Sequence, residues 1–218
     1  NLKGKVFHIS LSVGAIAFLL VVVSCTTVPV TGRKGLHILP DSEVTTMSFQ
    51  QYSEVLKKSK LSNDTEKVQM VRRVGTRIAR ASEEFMTESG MEAEIKNYQW
   101  EFNLIQDDKT VNAWCMPGGK VGVYTGILPV TRDETGLAVV MGHEVAHAIA
   151  KHGNERLSQG LLTQLGAAGL SIALSTNPGP TSDIFMAADG LGANVVVLLP
   201  YSRWHESEAD RIGLSLMA

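Results

Sequence analysis

Two histidines one helical turn apart, His143 and His147, with Glu144 beside the first, constrain this chain more than any other stretch. On an α-helix, residues four apart rise about 6 Å and share a face, so both imidazoles reach one cation. Glu144 is not forced onto that ion and stays free to take a proton from a water held there. The flanks predict a helix: Thr131 and Glu134 read as a capping box, Asp133 adds charge at the positive helix end, and Gly153 reads as the C-terminal stop. Leu137, Val140, Met141, Val145, Ala148 and Ile149 recur at helical spacing, which predicts burial. Two histidines and a glutamate on a buried helix need partners, and a metal supplies them. The alternative is a chance motif on an ordinary helix.

A catalytic zinc keeps three protein ligands and an open position for water. A third histidine six residues beyond the second is excluded, because positions 150 and 153 are Ala150 and Gly153. His152 is expected off the ligand face, at the surface. The segment Tyr201 to Gly213 offers a better partner. Ser202 reads as the cap of a helix on which Glu206 and Asp210 are one turn apart. Glu206 is expected to bind the ion, and Asp210 to reach back to the first helix, since ligand histidines commonly donate their second N–H to a carboxylate. Alone, this segment reads as a charged helical face; beside the first motif it reads as the other half of a site. One Zn²⁺ per chain is expected.

With 218 residues, 44% hydrophobic and 19% charged, and a net charge of −2, the chain suffices for one domain with a core plus appendages. No long basic tract is present, so nucleic acid is not an expected partner. Two cysteines are too few for a disulfide scaffold. Residues 1–25 read as a targeting segment: Lys3 and Lys5 precede a mostly apolar stretch from Ile9 to Val23. The ending Val22-Val23-Ser24-Cys25 resembles the lipobox of bacterial lipoproteins, which implies cleavage before Cys25 and a lipid on it. A single membrane anchor is the alternative, the run being close to the minimum spanning length of about 17 residues. The same resemblance, with Thr26 rather than Asp following the cysteine, implies the periplasmic side of a bacterial outer membrane. The chain begins with Asn, so its true start is expected upstream. Residues 26–40, with Pro29, Gly32, Gly35 and Pro40, read as an irregular tether.

From Asp41, read as an N-cap, a first helix runs to about Lys58. A second is capped by Asn63-x-x-Glu66, buries Val68, Val71, Val74, Ile78, Ala81 and Phe85, and ends at Gly90. Arg72, Arg73, Arg77 and Arg80 read as its solvated face. At Tyr98 the period changes to two. A strand through Leu104 turns at Asp107 to Lys109, a second runs from Val111 to Met116, and a third from Lys120 to Thr125 leads through Gly126 into the metal helix. If exposed as an edge, Lys120, Val121, Gly122, Val123 and Tyr124 would pair with an extended peptide through the backbone; an ordinary sheet strand is the equal alternative. Cys115 reads as a small buried apolar residue. Further helix is expected over 154–175, then helix and loop over 181–200.

The order H-E-x-x-H, then S-R-x-x-E-x-E-A-D, with Val111 to Gly126 before the metal helix, resembles the gluzincin zinc metallopeptidases that include CAAX prenyl endopeptidases, HtpX-type heat-shock proteases and mitochondrial Oma-type proteases. The layout from about Asp41 onward is similar to bacterial Oma-like lipoprotein members. This resemblance implies an α+β, zincin-like, mainly helical metallopeptidase domain over 41–218, with a small β-sheet beside the metal helix. His143, His147 and Glu206 correspond to zinc ligands, Glu144 to the catalytic base and Asp210 to the supporting acid; His205 falls at a variable position and takes no role. The implied activity is zinc-dependent endopeptidase action on unfolded or misassembled cell-envelope polypeptides. Relatives continue with helices that bring an oxyanion donor, here expected beyond Ala218 in a chain truncated at its C-terminus. Two readings from other classes are a chaperone-like envelope assembly factor that retains the metal site, and a zinc-stabilised structural lipoprotein.

Overall fold

A computed structural model describes residues 25–28, 31–161 and 203–217. In chain order its elements are β1 (Cys25–Thr27), β2 (Lys34–Leu36), α1 (Asp41–Lys58), α2 (Thr65–Glu88), α3 (Glu92–Ile95), β3 (Glu101–Ile105), β4 (Ala113–Met116), β5 (Lys120–Tyr124), a 3₁₀ turn (Thr125–Ile127), α4 (Leu128–Thr131), α5 (Glu134–Ile149), α6 (152–161) and α7 (Arg203–Met217). The expected leader up to residue 24, the helix beyond 161, the 181–200 segment and the Ser202 cap lie outside the described residues. The fold is α+β and mainly helical, with a small three-stranded sheet, as expected.

Strand alternation decides the layering. Ala113 and Cys115 of β4, Val121 and Val123 of β5 and Leu104 of β3 face one core with Val71, Val74 and Ile78 of α2, Leu137, Met141 and Val145 of α5, and Ala209 and Ile212 of α7. Trp114, Met116 and Ile105 face the opposite core with Val44 and Tyr52 of α1 and Leu157 and Leu161 of α6. Both faces of the sheet are therefore covered, and every residue of β4 is buried. The period-two signal survives as a choice between two cores rather than between core and water.

Sheet order is β3-β5-β4, with β5 parallel to β3 and antiparallel to β4. The edge reading of Lys120, Val121, Gly122, Val123 and Tyr124 is corrected by this order: β5 is the central strand, and both its edges are occupied. The reversal from β4 to β5 passes through Gly118 and Gly119, at φ +83° and +84°. Their carbonyls accept from Gln99 N at 2.8 Å and Glu101 N at 3.1 Å, which pins β3 alongside β5. The outer side of β3 is covered in turn, where Ser62 N donates to Leu104 O and Gln106 N donates to Lys60 O. The outer side of β4 carries neither a strand nor an isolated bridge among the described residues, and β4 packs on α5.

Two helix starts differ from expectation by a residue. Asp64, not Asn63, caps α2 by accepting from Lys67 N at 3.1 Å, and α1 follows Pro40 with Asp41 as its first helical residue. The Asp41 carboxylate is engaged elsewhere, accepting from Lys151 Nζ at 2.7 Å and Asn154 Nδ2 at 2.8 Å. Arg72, Arg73, Arg77 and Arg80 are exposed on α2. Residues 26–40 depart further from the tether reading. β1 and β2 pair as an antiparallel hairpin, and Val28 beside it is 2% exposed within the main core.

Candidate metal centre

The helix that carries the motif is bounded by two left-handed residues. Arg132, at φ +67°, ends α4 and lets Asp133 adopt the extended backbone of an N-cap, whose carboxylate accepts from Gly136 N at 2.8 Å. The expected Thr131 and Glu134 box does not form: the Thr131 hydroxyl donates to Leu128 O, and Glu134 pairs with Arg73. At the other end α5 stops at Ile149, with Ala150 N donating back to Ala146 O, four residues before Gly153, which lies inside α6. Lys151 takes the left-handed position at φ +59°, where glycine is the usual occupant. Its ammonium reaches Asp41 and Glu94 at 2.7 Å each, holding a conformation that costs a non-glycine residue about 1 kcal/mol.

That reversal corrects the position of His152. It is fully buried, folded back beneath the motif with Nδ1 2.8 Å from His147 Nδ1.

Helix α7 packs on α5 and brings the second motif to the first. His143 Nε2 and His147 Nε2 are 3.1 Å apart, Glu206 Oε2 is 3.3 Å from His143 Nε2, and Glu206 Oε1 is 3.6 Å from His147 Nε2. A tetrahedral zinc with bonds of about 2.0–2.1 Å sets its ligand atoms about 3.3 Å apart, so these separations fit one ion. The chemistry agrees. Glu206 Oε1 is buried without a hydrogen-bond partner among the described residues, a costly state that a cation relieves. Burial first, and the neighbouring His152 and His143 second, hold the His147 pKa down to about 2, leaving the neutral imidazole that a metal requires. His143 Nδ1 lies 2.9 Å from Asp210 Oδ1, which makes Nδ1 the donor and leaves the Nε2 lone pair for the ion. Glu144 is half-buried on the same helix, next to His143.

Behind the trio stands a buried layer that sequence reasoning missed. His152 Nε2 is 3.0 Å from Glu208 Oε2, and His205 Nε2 is 3.1 Å from Glu155 Oε2. The two imidazoles stack with centroids 4.3 Å apart. Arg33 donates to both carboxylates, through Nη1 and Nη2 to Glu155 and through Nε and Nη2 to Glu208, at 2.8–2.9 Å. Burial raises the Glu155 and Glu208 pKa values, but the hydrogen bonds from His205, Arg33, Thr31 and His152 outweigh it and bring both to about 2. One signal was legible: His205, Glu208, Ala209, Ile212 and Leu216 share one helical stripe, and all five are buried.

A profile described as Peptidase family M48 matches residues 73–218. The chain belongs to this family. Zinc is the family's ion, consistent with the His143, His147 and Glu206 trio. This M48 chain is 37% identical over 145 residues to "Mitochondrial metalloendopeptidase OMA1" of Schizosaccharomyces pombe, covering 65% of the chain and 38% of that relative. It is 25% identical over 228 residues to "Metalloendopeptidase OMA1, mitochondrial" of Homo sapiens, covering 100% and 42% respectively. Against "Beta-barrel assembly-enhancing protease" of Escherichia coli the identity is 29% over 120 residues, covering 53% and 24%. The M48 chain thus spans less than half the length of these curated relatives. The ranking overturns the bacterial outer-membrane location implied by the lipobox-like ending. Three mitochondrial relatives match at 36–37% identity, above the 29% of the two bacterial ones.

Proposed function

We propose that this M48 chain is a zinc-dependent endopeptidase that cuts unfolded or misassembled polypeptides, a quality-control activity. The observation that carries the reading is the convergence of His143, His147 and Glu206 at ligand spacing, with Glu144 on the same helix as the two histidines. Bound there, zinc lowers the pKa of water toward about 7 and polarises a carbonyl. The rest is the work of side chains. Glu144 accepts the proton of the attacking water on a carboxylate oxygen and returns it to the leaving amine, a contribution of about 10²–10⁴-fold. Asp210 keeps His143 oriented by accepting its Nδ1–H. An extended substrate is assigned to the outer side of β4, the strand that packs on α5 and has one side without a strand among the described residues; backbone pairing there reads little of the sequence, which suits unfolded targets. The printed name of the bacterial relative, which refers to β-barrel assembly, points to the same class of target.

Metal content and cleavage of an unfolded protein such as casein test the reading on the wild type, Glu144→Gln and Glu206→Ala. Glu144→Gln is expected to retain zinc and lose cleavage, and Glu206→Ala to lose zinc. Full cleavage by Glu144→Gln would refute the mechanism. Polypeptide binding without cleavage by the wild type would favour the assembly-factor reading instead. Acylation of Cys25 is a separate proposal resting on the lipobox-like ending alone; fatty-acid labelling of the wild type and its absence in Cys25→Ser would support it.

A further inference from the structure

We propose that Arg33 is a positioning residue for the metal centre: it holds Glu208, which through His152 sets the tautomer and ring orientation of His147. This rests on the metal reading above and adds to it a partner from a part of the chain far from both motifs.

The contacts form one directed chain. For His147 to offer its Nε2 lone pair to an ion, its proton must sit on Nδ1. That N–H points at His152 Nδ1, 2.8 Å away, so His152 accepts there and carries its own proton on Nε2. His152 Nε2 then donates to Glu208 Oε2 at 3.0 Å. Glu208 must therefore be an ionised acceptor. Its other partners among the described residues are donors: Thr31 Oγ1 at 2.6 Å, Arg33 Nε at 2.9 Å and Arg33 Nη2 at 2.8 Å. Reversing any one link, by protonating Glu208 or flipping the His152 tautomer, places two protons or two lone pairs against each other further along. The second ligand histidine, His143, needs no such chain, because Asp210 accepts from it directly.

Arg33 differs from an ordinary surface cation. Its side chain is 26% exposed, but the carboxylates it joins, Glu155 on α6 and Glu208 on α7, are 6% and 4% exposed. Without it two buried negative groups would face each other unneutralised, and one of them would have to take up a proton or move. The planar fork places two donors on each carboxylate at once, a paired geometry that an ammonium, a point charge on a flexible stem, does not reproduce. The turn that presents it is built for the purpose: Val28 is anchored in the core, Val28 N donates to Arg33 O at 2.8 Å, Gly32 N donates to Val28 O at 3.0 Å, and Gly32 adopts φ +67°. Thr31 and Arg33, on either side of that glycine, both reach Glu208.

The test uses the whole chain, stripped of metal and titrated with zinc against a chelator, with urea unfolding followed alongside. Arg33→Met is expected to weaken zinc binding by about 10- to 100-fold, the range for loss of an outer partner of a ligand, and Arg33→Lys to weaken it less. In a Glu208→Gln background Arg33→Met should add little, because both act through one chain. Val44→Ala, which truncates the core on the far side of the sheet, should lower stability and leave zinc affinity unchanged. Thr31→Val, which removes a single donor to Glu208, carries the test if Arg33→Met does not fold, and should weaken zinc in the same direction. Zinc affinity within twofold of wild type in folded Arg33→Met, full additivity with Glu208→Gln, or an equal loss in Val44→Ala would overturn the inference. A wild type that binds no zinc would overturn the metal reading itself, an outcome distinct from these.

Discussion

The spacing of the two half-sites rests on how closely α5 and α7 approach, and Gly213 is where they touch. A Cβ built on Gly213 would lie 3.3 Å from His143 Cα and N and 3.4 Å from Gly142 C. Carbon contacts prefer about 3.5–4.0 Å, so alanine asks for only a few tenths of an ångström. The same substitution gains about 1 kcal/mol of helix propensity, and the two effects nearly cancel in stability. Valine adds a methyl beyond that Cβ and drives the helices roughly 1 Å apart, an overpacking cost of about 1–3 kcal/mol. The same movement acts on the site. His143 reaches Glu206 at 3.3 Å and Asp210 at 2.9 Å across this crossing, and opening it by that amount breaks the Asp210 hydrogen bond and leaves Glu206 too far to share an ion. Gly142 is the control, since a Cβ there meets Gly213 O at 3.6 Å and Ile78 Cδ1 at 3.8 Å, ordinary contacts. Gly142→Ala should therefore gain up to about 1 kcal/mol and keep zinc. Urea unfolding and chelator competition read both effects. If Gly213→Val keeps wild-type zinc affinity and an unchanged unfolding midpoint, the crossing is not what spaces the site.

Acid should unfold the chain through the Arg33 cluster. Glu155 and Glu208 have folded pKa values lowered from 4.5 to about 2, so they contribute stability above the unfolded value that is lost as pH falls from about 4.5 to about 2. Sharing one guanidinium, they contribute on the order of 3 kcal/mol together; urea unfolding of the metal-free chain should show that loss, and Arg33→Met should flatten it. Asp133→Ala removes the cap of α5 and should cost about 1 kcal/mol, read from the unfolding midpoint, with little change at the ligand atoms about three turns away. Lys151→Met removes the two ion pairs that hold a left-handed residue and should cost about 2 kcal/mol in the same assay.

What the sequence showed plainly was periodic and local. His143 and His147 share a face because four residues nearly complete a helical turn, and Glu206 and Asp210 share one for the same reason; the structure places those faces opposite each other. The strands announced themselves by alternation at Trp100, Phe102 and Leu104. Strand order was not legible, because alternation says which residues point together and nothing about neighbours. Lys120 to Tyr124 reads the same as an edge or as a centre, and the carbonyls of Gly118 and Gly119 that tie β3 to it are contacts no side chain encodes.

The misreadings fall where the chain changes direction. Continued as one helix to Gly153, the motif puts His152 five residues past His147, about 140° round the helix and away from the ion. Lys151 breaks that continuation, and its left-handed backbone depends on Asp41 and Glu94, more than a hundred and more than fifty residues earlier. Reversed at that point, the chain carries His152 under His147 and Glu155 toward Arg33. The hairpin at 25–36 is likewise too short to show a period, and it is held in place by carboxylates on α6 and α7. A local signal thus locates the atoms that would touch the ion, while the groups that orient those atoms come from reversals whose stability is tertiary. Substitutions that move metal affinity without touching a ligand should therefore cluster at Thr31 to Arg33, at His152 to Glu155 and at Glu208 to Gly213 of α7, rather than along the motif helix itself.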